Sequence, residues 1–144
     1  MIYDAIETML KAVVPADCRI FHANMPLQLM ATLERETAKL CTYLVFQDRI
    51  HMNSSGASTV HEVTIEFSFY GTLSDVDAMS KDLNTLLVGT EVNAGGWRFV
   101  LVPAQNGKQD IWDPRIQVKR EWLRYTGFAI EPEESQSAVT GTAG

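Results

Sequence analysis

The sequence predicts an α+β fold, in which a largely antiparallel β-sheet carries two or three helices packed on one face. Residues 63–70 alternate between apolar and polar side chains, which is the pattern of a half-buried strand. An apolar stripe with helical spacing follows directly over residues 76–87, and residues 115–130 alternate again. In order, the chain reads helix, strand, candidate helix, strand, strand, helix, strand, strand, which is typical of this fold class.

The first third of the chain contains two helix signals and two strand signals. Residues 18–26 predict a short strand closed by Pro26, and helix propensity favours a helix over residues 27–40. The compact apolar run 41–47 predicts a strand buried on both faces. The first helix, which Pro15 ends, is marked by apolar side chains on one side, namely Ile2, Ile6, Met9, Leu10 and Val13.

A polar stretch, residues 48–62, separates the apolar run from the alternating strand. Its centre, residues 53–59, consists of Asn, Ser, Gly, Ala and Thr, and predicts a long exposed loop or hairpin tip. Near the other end of the chain, residues 95–103 predict a further strand, and Asn106-Gly107 after it is a strong hairpin signal. Residues 115–130 predict one long strand, bent near a glycine, whose first face carries Ile116, Val118, Arg120 and Trp122.

The corner that follows residues 63–70 contains a glycine and hydroxyl side chains, as some phosphate and nucleophile sites do. The stretch GTLSD has no lysine and no second glycine, so it matches neither a phosphate-binding loop nor a nucleophile elbow. We interpret it as a helix start, with Ser74 as N-cap and Asp77 in the capping-box position. Gly89 is the expected residue just past the helix end. The corner is therefore predicted to be scaffold.

Length and composition bound the class of protein. The 144 residues suit one domain, placed at residues 1–130, and the polar residues 131–144 predict a disordered tail. The net charge of −6 argues against a protein that mainly grips nucleic acid. Cys18 and Cys41 have no metal or redox motif around them and are interpreted as buried thiols. No apolar run reaches the roughly 20 residues of a membrane span, and the acidic N-terminus is no signal peptide, so we expect an intracellular protein without membrane contacts.

The residues predict no catalytic, metal or cofactor site. His51 and His61 flank the polar stretch and could meet across a hairpin near Asp48 or Glu62, but no accepted metal-ligand spacing is present. Trp112, in the stretch DIWDPR, either folds back onto the sheet edge or anchors an interface. The one basic concentration is interpreted as the solvated face of a strand, and it consists of Arg115, Lys119, Arg120 and Arg124.

The order of these features resembles the tail-terminator and tail-completion (minor tail) proteins of long-tailed bacteriophages, the lambda protein U-like group. The resemblance rests on the stretch HEVTIEFSFYGTLSDVDAMSKDLNTLLVG, preceded by a strand ending NMP and the apolar YLVFQ. A strand that carries a tryptophan and a long, charge-rich strand complete the pattern. Residues 27–40 depart from it, because they are longer than the link expected there; a helix in that place would be an addition to the family core.

This resemblance implies a non-enzymatic virion protein of the phage tail or neck, assembled in the host cytoplasm and without a cofactor. Its copies would form a homo-oligomeric, hexameric ring that caps the tail tube and joins it to the head. The implied partners are the tail tube protein and a head–tail connector protein, and DNA would only pass through the channel. We expect contacts with neighbouring subunits or the tail tube at Arg49, His51, Met52, Asn53, Trp112 and Arg115.

Two other function classes stay open at this point. One is a monomeric α+β binding or regulatory domain. The other is a small enzyme that uses scattered residues such as His51, His61 and Glu62.

Overall fold

A computed structural model describes residues 2–22, 39–51, 59–110 and 119–132. The predicted helix over residues 27–40 lies almost wholly outside them, and its last residue, Leu40, begins a strand. In chain order the elements are α1 (Ile2–Lys11), β1 (Arg19–His22), β2 (Leu40–His51), β3 (Val60–Gly71), α2 (Leu73–Leu87), β4 (Val92–Ala94), β5 (Trp97–Asp110) and β6 (Lys119–Ile130).

The six strands of the described residues form one sheet in the order β1-β2-β3-β6-β5-β4. Four of the five neighbouring pairs are antiparallel, and only β1 runs parallel to its neighbour β2. β3 is central because both of its edges are paired over almost its full length, with β2 on one side and β6 on the other. The predicted α+β fold with a largely antiparallel sheet is confirmed.

Both helices pack on the same face of the sheet and share one hydrophobic core with it. The alternation predicted for residues 63–70 supplies the centre of this core, because every second side chain of β3 points toward the helices. No helix within the described residues is long and apolar enough to cross a membrane. The largest fully buried side chains are Tyr43, Tyr125, Phe67, Phe69, Phe99, Ile6, Met9, Leu10, Leu40, Ile65, Met79 and Leu83.

The polar stretch 48–62 is shorter as a loop than the sequence indicates. β2 continues to His51 and β3 begins at Val60, so Asp48 pairs with Val63 and Arg49 with Glu62. The prediction of a loop was wrong at both ends because backbone pairing carries the ladder past the apolar residues. The predicted tip, residues 53–59, lies outside the described residues except for Thr59.

The helix start after β3 differs from the prediction by two residues. The N-cap is Thr72, whose Oγ1 accepts a hydrogen bond from the backbone N–H of Asp75 at 3.2 Å. Ser74 is therefore already inside the first turn, and Asp77 lies beyond the capping-box position, so the predicted cap pair was wrong. The reason is that β3 stays paired as far as Gly71, opposite Lys119, and the helix begins as soon as the chain leaves the sheet.

The Asn106-Gly107 hairpin prediction was also wrong, because both residues lie inside β5. They pair with Leu123 and Trp122 of β6, and the strand continues to Asp110. A Cβ at Gly107 would come within 2.6 Å of the Trp122 ring. The glycine thus serves the close approach of a neighbouring aromatic ring rather than a turn.

Candidate functional site

One face of the sheet has no helix packed on it in the described part of the chain. We call it the open face and define it by six residues, Phe46, Val100, Val102, Trp122, Arg124 and Phe128. Four of them are large apolar side chains that stay 43–55% exposed, although they belong to long, well-paired strands. The exposure of Phe46 corrects the prediction that residues 41–47 are buried on both faces. A β-bulge between Val45 and Gln47 interrupts the register at this residue.

Arg124 lies at the middle of the open face and connects three strands. Its guanidinium lies 4.4 Å from the ring centroid of Phe46 and 5.7 Å from that of Trp122, within the range of cation–π attraction. Its Nη1 donates to Gln105 Oε1 at 3.2 Å and its Nη2 to Glu66 Oε1 at 3.4 Å. These contacts hold the arginine in place beside exposed aromatic surface, the combination that is enriched at the centres of protein interfaces.

Arg120, four residues before Arg124 on β6, makes similar contacts on the same face of the sheet. Its Nη2 donates to Ser68 Oγ at 3.1 Å, and its guanidinium lies 5.8 Å from the ring centroid of Tyr70. The predicted basic concentration therefore includes two arginines that are ordered by neighbouring strands, rather than simply solvated. Arg115, the first member of that group, lies outside the described residues.

A second polar cluster joins the far ends of three segments around His61. Its Nδ1 lies 2.6 Å from Asp48 Oδ1, and its Nε2 lies 3.1 Å from Glu131 Oε1. Burial of the ring lowers the pKa of His61, but the hydrogen bonds to Asp48 and then Glu131 outweigh it and raise that pKa above its usual value. Glu131, which we expected in the disordered tail, is thereby part of the domain, and its backbone N–H also donates to Thr59 O.

This cluster does not have the geometry of a metal site. The two carboxylates bind opposite nitrogens of the ring, so they cannot converge with His61 on one ion, and no metal-binding group is present among the described residues. Glu62 is the next residue on β3, and its side chain points to the other face of the sheet. Because both of its nitrogens bind carboxylates, the His61 ring links β3 to Asp48 of β2 and to Glu131 after β6.

The contribution of His61 to stability should depend on pH. Because the folded-state pKa is raised above the unfolded value of about 6.5, its contribution is fully present below that pH and is lost as pH rises through the raised pKa. The free energy of unfolding of the wild type, minus that of His61→Gln, should therefore fall as pH rises above about 6.5. Urea unfolding at a series of pH values measures this difference. Asp48→Asn should flatten the curve, and a wild-type difference that rises with pH would contradict the assignment.

The two cysteines are buried thiols, as predicted, and neither forms a disulfide. Burial raises the pKa of Cys18 to about 11, with the charge of Asp17 adding to it, and burial raises the pKa of Cys41 well above its usual value. Since the thiolate is the reactive form, both side chains are poor nucleophiles at neutral pH.

The residues predicted to contact neighbouring subunits fall at two ends of the sheet. Arg49 and His51 lie at the end of the pairing between β2 and β3, next to residues 52–58 in the chain. Residues 111–118 connect Asp110 at the end of β5 to Lys119 at the start of β6. Val60 and Gly71 mark these opposite ends of β3, which are separated by roughly 35–40 Å at about 3.3 Å per residue. The described residues that flank the two predicted segments thus lie at opposite ends of the sheet. Met52, Asn53, Trp112 and Arg115 lie outside the described residues.

The likeness to known proteins comes from solved structures. No protein-family model and no curated protein matches the chain. Among solved structures, a chain of the "Virion of native gene transfer agent (GTA) particle" is similar to it over 84% of both chains, with 16% sequence identity and a TM-score of 0.44. A TM-score this low says nothing about the function of the present chain.

Proposed function

We propose that the chain is a structural subunit of a phage virion, a tail terminator or tail completion protein whose copies form a hexameric ring. The observation that carries this proposal is the open face. It leaves Phe46, Val102 and Phe128 about half exposed on the sheet face that carries the guanidinium of Arg124, which stacks on Phe46. An exposed apolar surface that contains an ordered arginine–aromatic pair is typical of a protein contact surface, and burying it against another subunit removes it from water.

The placement of the two predicted contact segments supports a ring. A ring grows by head-to-tail contacts, in which two different surfaces of each subunit meet. Residues 48–62 and residues 111–118 attach at opposite ends of β3, so each subunit offers two separate sets of contacts. In this proposal Arg49, His51, Met52 and Asn53 act at one end, and Trp112 and Arg115 act at the other.

The sequence resemblance supplies the place of that ring in the virion. The order of helix, strand, paired long strands, helix and paired strands is the order on which the resemblance to tail-terminator proteins rests. The ring would cap the tail tube, contact the tail tube protein on one side and a head–tail connector protein on the other, and let DNA pass. The net charge of −6 suits a channel through which DNA moves without sticking. The role is structural and not enzymatic.

Replacing Val102 with lysine tests the open face as an assembly surface. Val102 is 55% exposed, so the change should leave the fold intact, but a charged amine at the centre of a contact should prevent assembly. Light scattering coupled to sizing chromatography, with and without tail tubes, should show a multiple of 16.1 kDa for the wild type and only the 16.1 kDa monomer for the variant.

The matched control is Val88→Lys. Val88 is 46% exposed and follows α2, in the helical layer away from the open face, so this variant should assemble like the wild type. A wild type that stays monomeric at every concentration, also with tail tubes present, would contradict the ring and favour a monomeric binding domain. Assembly that Val102→Lys leaves unchanged would contradict the role of the open face.

A further inference from the structure

A cleft of about 410 Å³ lies on the helical side of the sheet, between α2 and the paired strands β5 and β6. Ser80 and Asn84 line it from the helix, Gln105 lines it from β5, and Glu121 and Tyr125 line it from β6. Because side chains alternate along β6, Glu121 and Tyr125 point to the helical face, opposite Trp122. Of the six residues that define the open face, Arg124 alone also lines the cleft.

Two hydrogen-bonding groups in the cleft wall are buried without a partner. Glu121 is 8% exposed and Ser80 is 6% exposed. Among the described residues, neither Glu121 Oε2 nor Ser80 Oγ has a hydrogen-bond partner. A buried carboxylate oxygen that accepts no hydrogen bond is unfavourable, and proteins retain such a group where something else supplies the donor.

No other group of the described cleft lining hydrogen-bonds to Glu121 Oε2 or Ser80 Oγ, and this includes Lys81, which lines the cleft from α2. The hydroxyl of Tyr125 donates to Asn84 Oδ1 at 3.0 Å. Burial, and after it the charge of Glu121, raises the pKa of Tyr125 to about 12. Arg124 also lines the cleft, but its guanidinium is directed to Glu66 and Phe46 on the open face.

We propose that this cleft binds the guanidinium group of an arginine side chain carried by a second polypeptide chain. Glu121 is the ion-pair partner, and Ser80 accepts a further N–H from the opposite wall. A guanidinium presents five N–H donors and no acceptor, which matches a cleft whose unpartnered atoms are a carboxylate and a hydroxyl oxygen. It is also hydrated more weakly than an ammonium group, so it enters a buried site more readily. This assignment goes beyond the proposed ring and does not depend on it.

The probe for this site is Nα-acetyl-arginine N-methylamide, titrated into the full chain and followed by amide NMR shifts around α2 and β6. We expect saturable binding to the wild type, weaker binding of the lysine derivative and none of the citrulline derivative, which has the same shape without the charge. Glu121→Gln should weaken binding of the arginine derivative by about tenfold or more, because it removes the charge partner and keeps the shape. Ser80→Ala should weaken it less.

Glu91→Gln is the matched control, since it removes one negative charge at an exposed site away from the cleft, where Glu91 pairs with Arg98. Its affinity for the probe should equal that of the wild type. Equal affinity of Glu121→Gln and the wild type, in variants with unchanged thermal unfolding, would overturn the proposal.

Light scattering of the assembled protein, with and without the probe, shows which chain supplies the arginine. If the probe lowers the mass of the wild-type particle in light scattering, the guanidinium comes from a second copy of the chain. If the mass is unchanged while the probe still binds, it comes from a different protein. In both cases Glu121 is the group that binds the guanidinium. If the protein does not form a ring, the binding experiment can still be carried out on the monomer.

Discussion

Replacing Phe67 with alanine is expected to lower the free energy of unfolding by about 3–5 kcal/mol, the cost of emptying a well-packed aromatic site. Phe67 is fully buried at the centre of β3, between Tyr43 of β2 and Leu123 of β6 in the strand register. Its ring lies edge-on to Tyr125, with the centroids 5.9 Å apart. Urea unfolding followed by circular dichroism measures the difference.

Phe128→Ala is the control for this prediction, because it removes the same ring from a strand of the same sheet. Phe128 is 45% exposed on the open face, so the variant should lose about 1 kcal/mol or less. It should instead weaken assembly, if the open face is the contact surface. Similar losses of stability in the two variants would show that the core is not organised as described.

Replacing Gly127 with alanine is expected to cost about 3 kcal/mol or more, at the upper end of overpacking effects. Gly127 lies in β6 between Val63 of β3 and Leu101 of β5. An added Cβ would overlap the carbonyl oxygen of Val100 and come within 3.0 Å of the Leu101 Cα atom. Since backbone atoms of a paired strand cannot move aside, the variant must separate β5 from β6 locally. Thermal and urea unfolding should both show the loss.

Gly89→Ala separates this clash from the effect of backbone conformation. Gly89 follows α2 with a φ of +75°, and an added Cβ would meet nothing within 4 Å. Its alanine variant should therefore lose only the cost of a strained φ, about 1–2 kcal/mol. If Gly127→Ala were no worse than Gly89→Ala, the close approach of β5 and β6 at this point would be contradicted.

Local periodicity predicted the elements whose side chains alternate or recur regularly. β3, α1 and α2 lie where their apolar patterns place them, because each pattern has to bury one face and only one local geometry does so. Gly127, where the sequence predicts a bend in the last strand, lies at a close approach of β5 that the pattern did not show. Boundaries were less well predicted, since Thr72 rather than Ser74 caps α2 once β3 stays paired to its end.

Local sequence signals were misleading where the conformation of a residue depends on pairing with a neighbouring strand. Asn106-Gly107 is a strong hairpin signal by local rules, but pairing with β6 keeps both residues extended, and Gly107 leaves room for Trp122. The polar residues at the end of β2 were interpreted as loop for the same reason. A short-range rule cannot include the hydrogen bonds that a partner strand contributes.

The candidate sites were predictable only in part. Alternation along the last strand already places Arg124 on the face of Trp122. Phe46 and Glu66 reach the same point from other strands, and no sequence spacing relates them. The cleft could not be predicted from local sequence patterns at all. Glu121 and Ser80 are ordinary polar residues in the sequence, and they become buried only when α2 packs on the sheet.

By itself the sequence determined the fold class, the apolar faces of the strands and helices, and the absence of a known catalytic motif. These follow from composition and from patterns that repeat within a few residues. Only the tertiary structure decided which face of the sheet stays open, that His61 joins Asp48 to Glu131, and that one carboxylate is buried without a donor. Those features depend on strand register and on packing between residues far apart in the chain, and such contacts exist only once the sheet has formed.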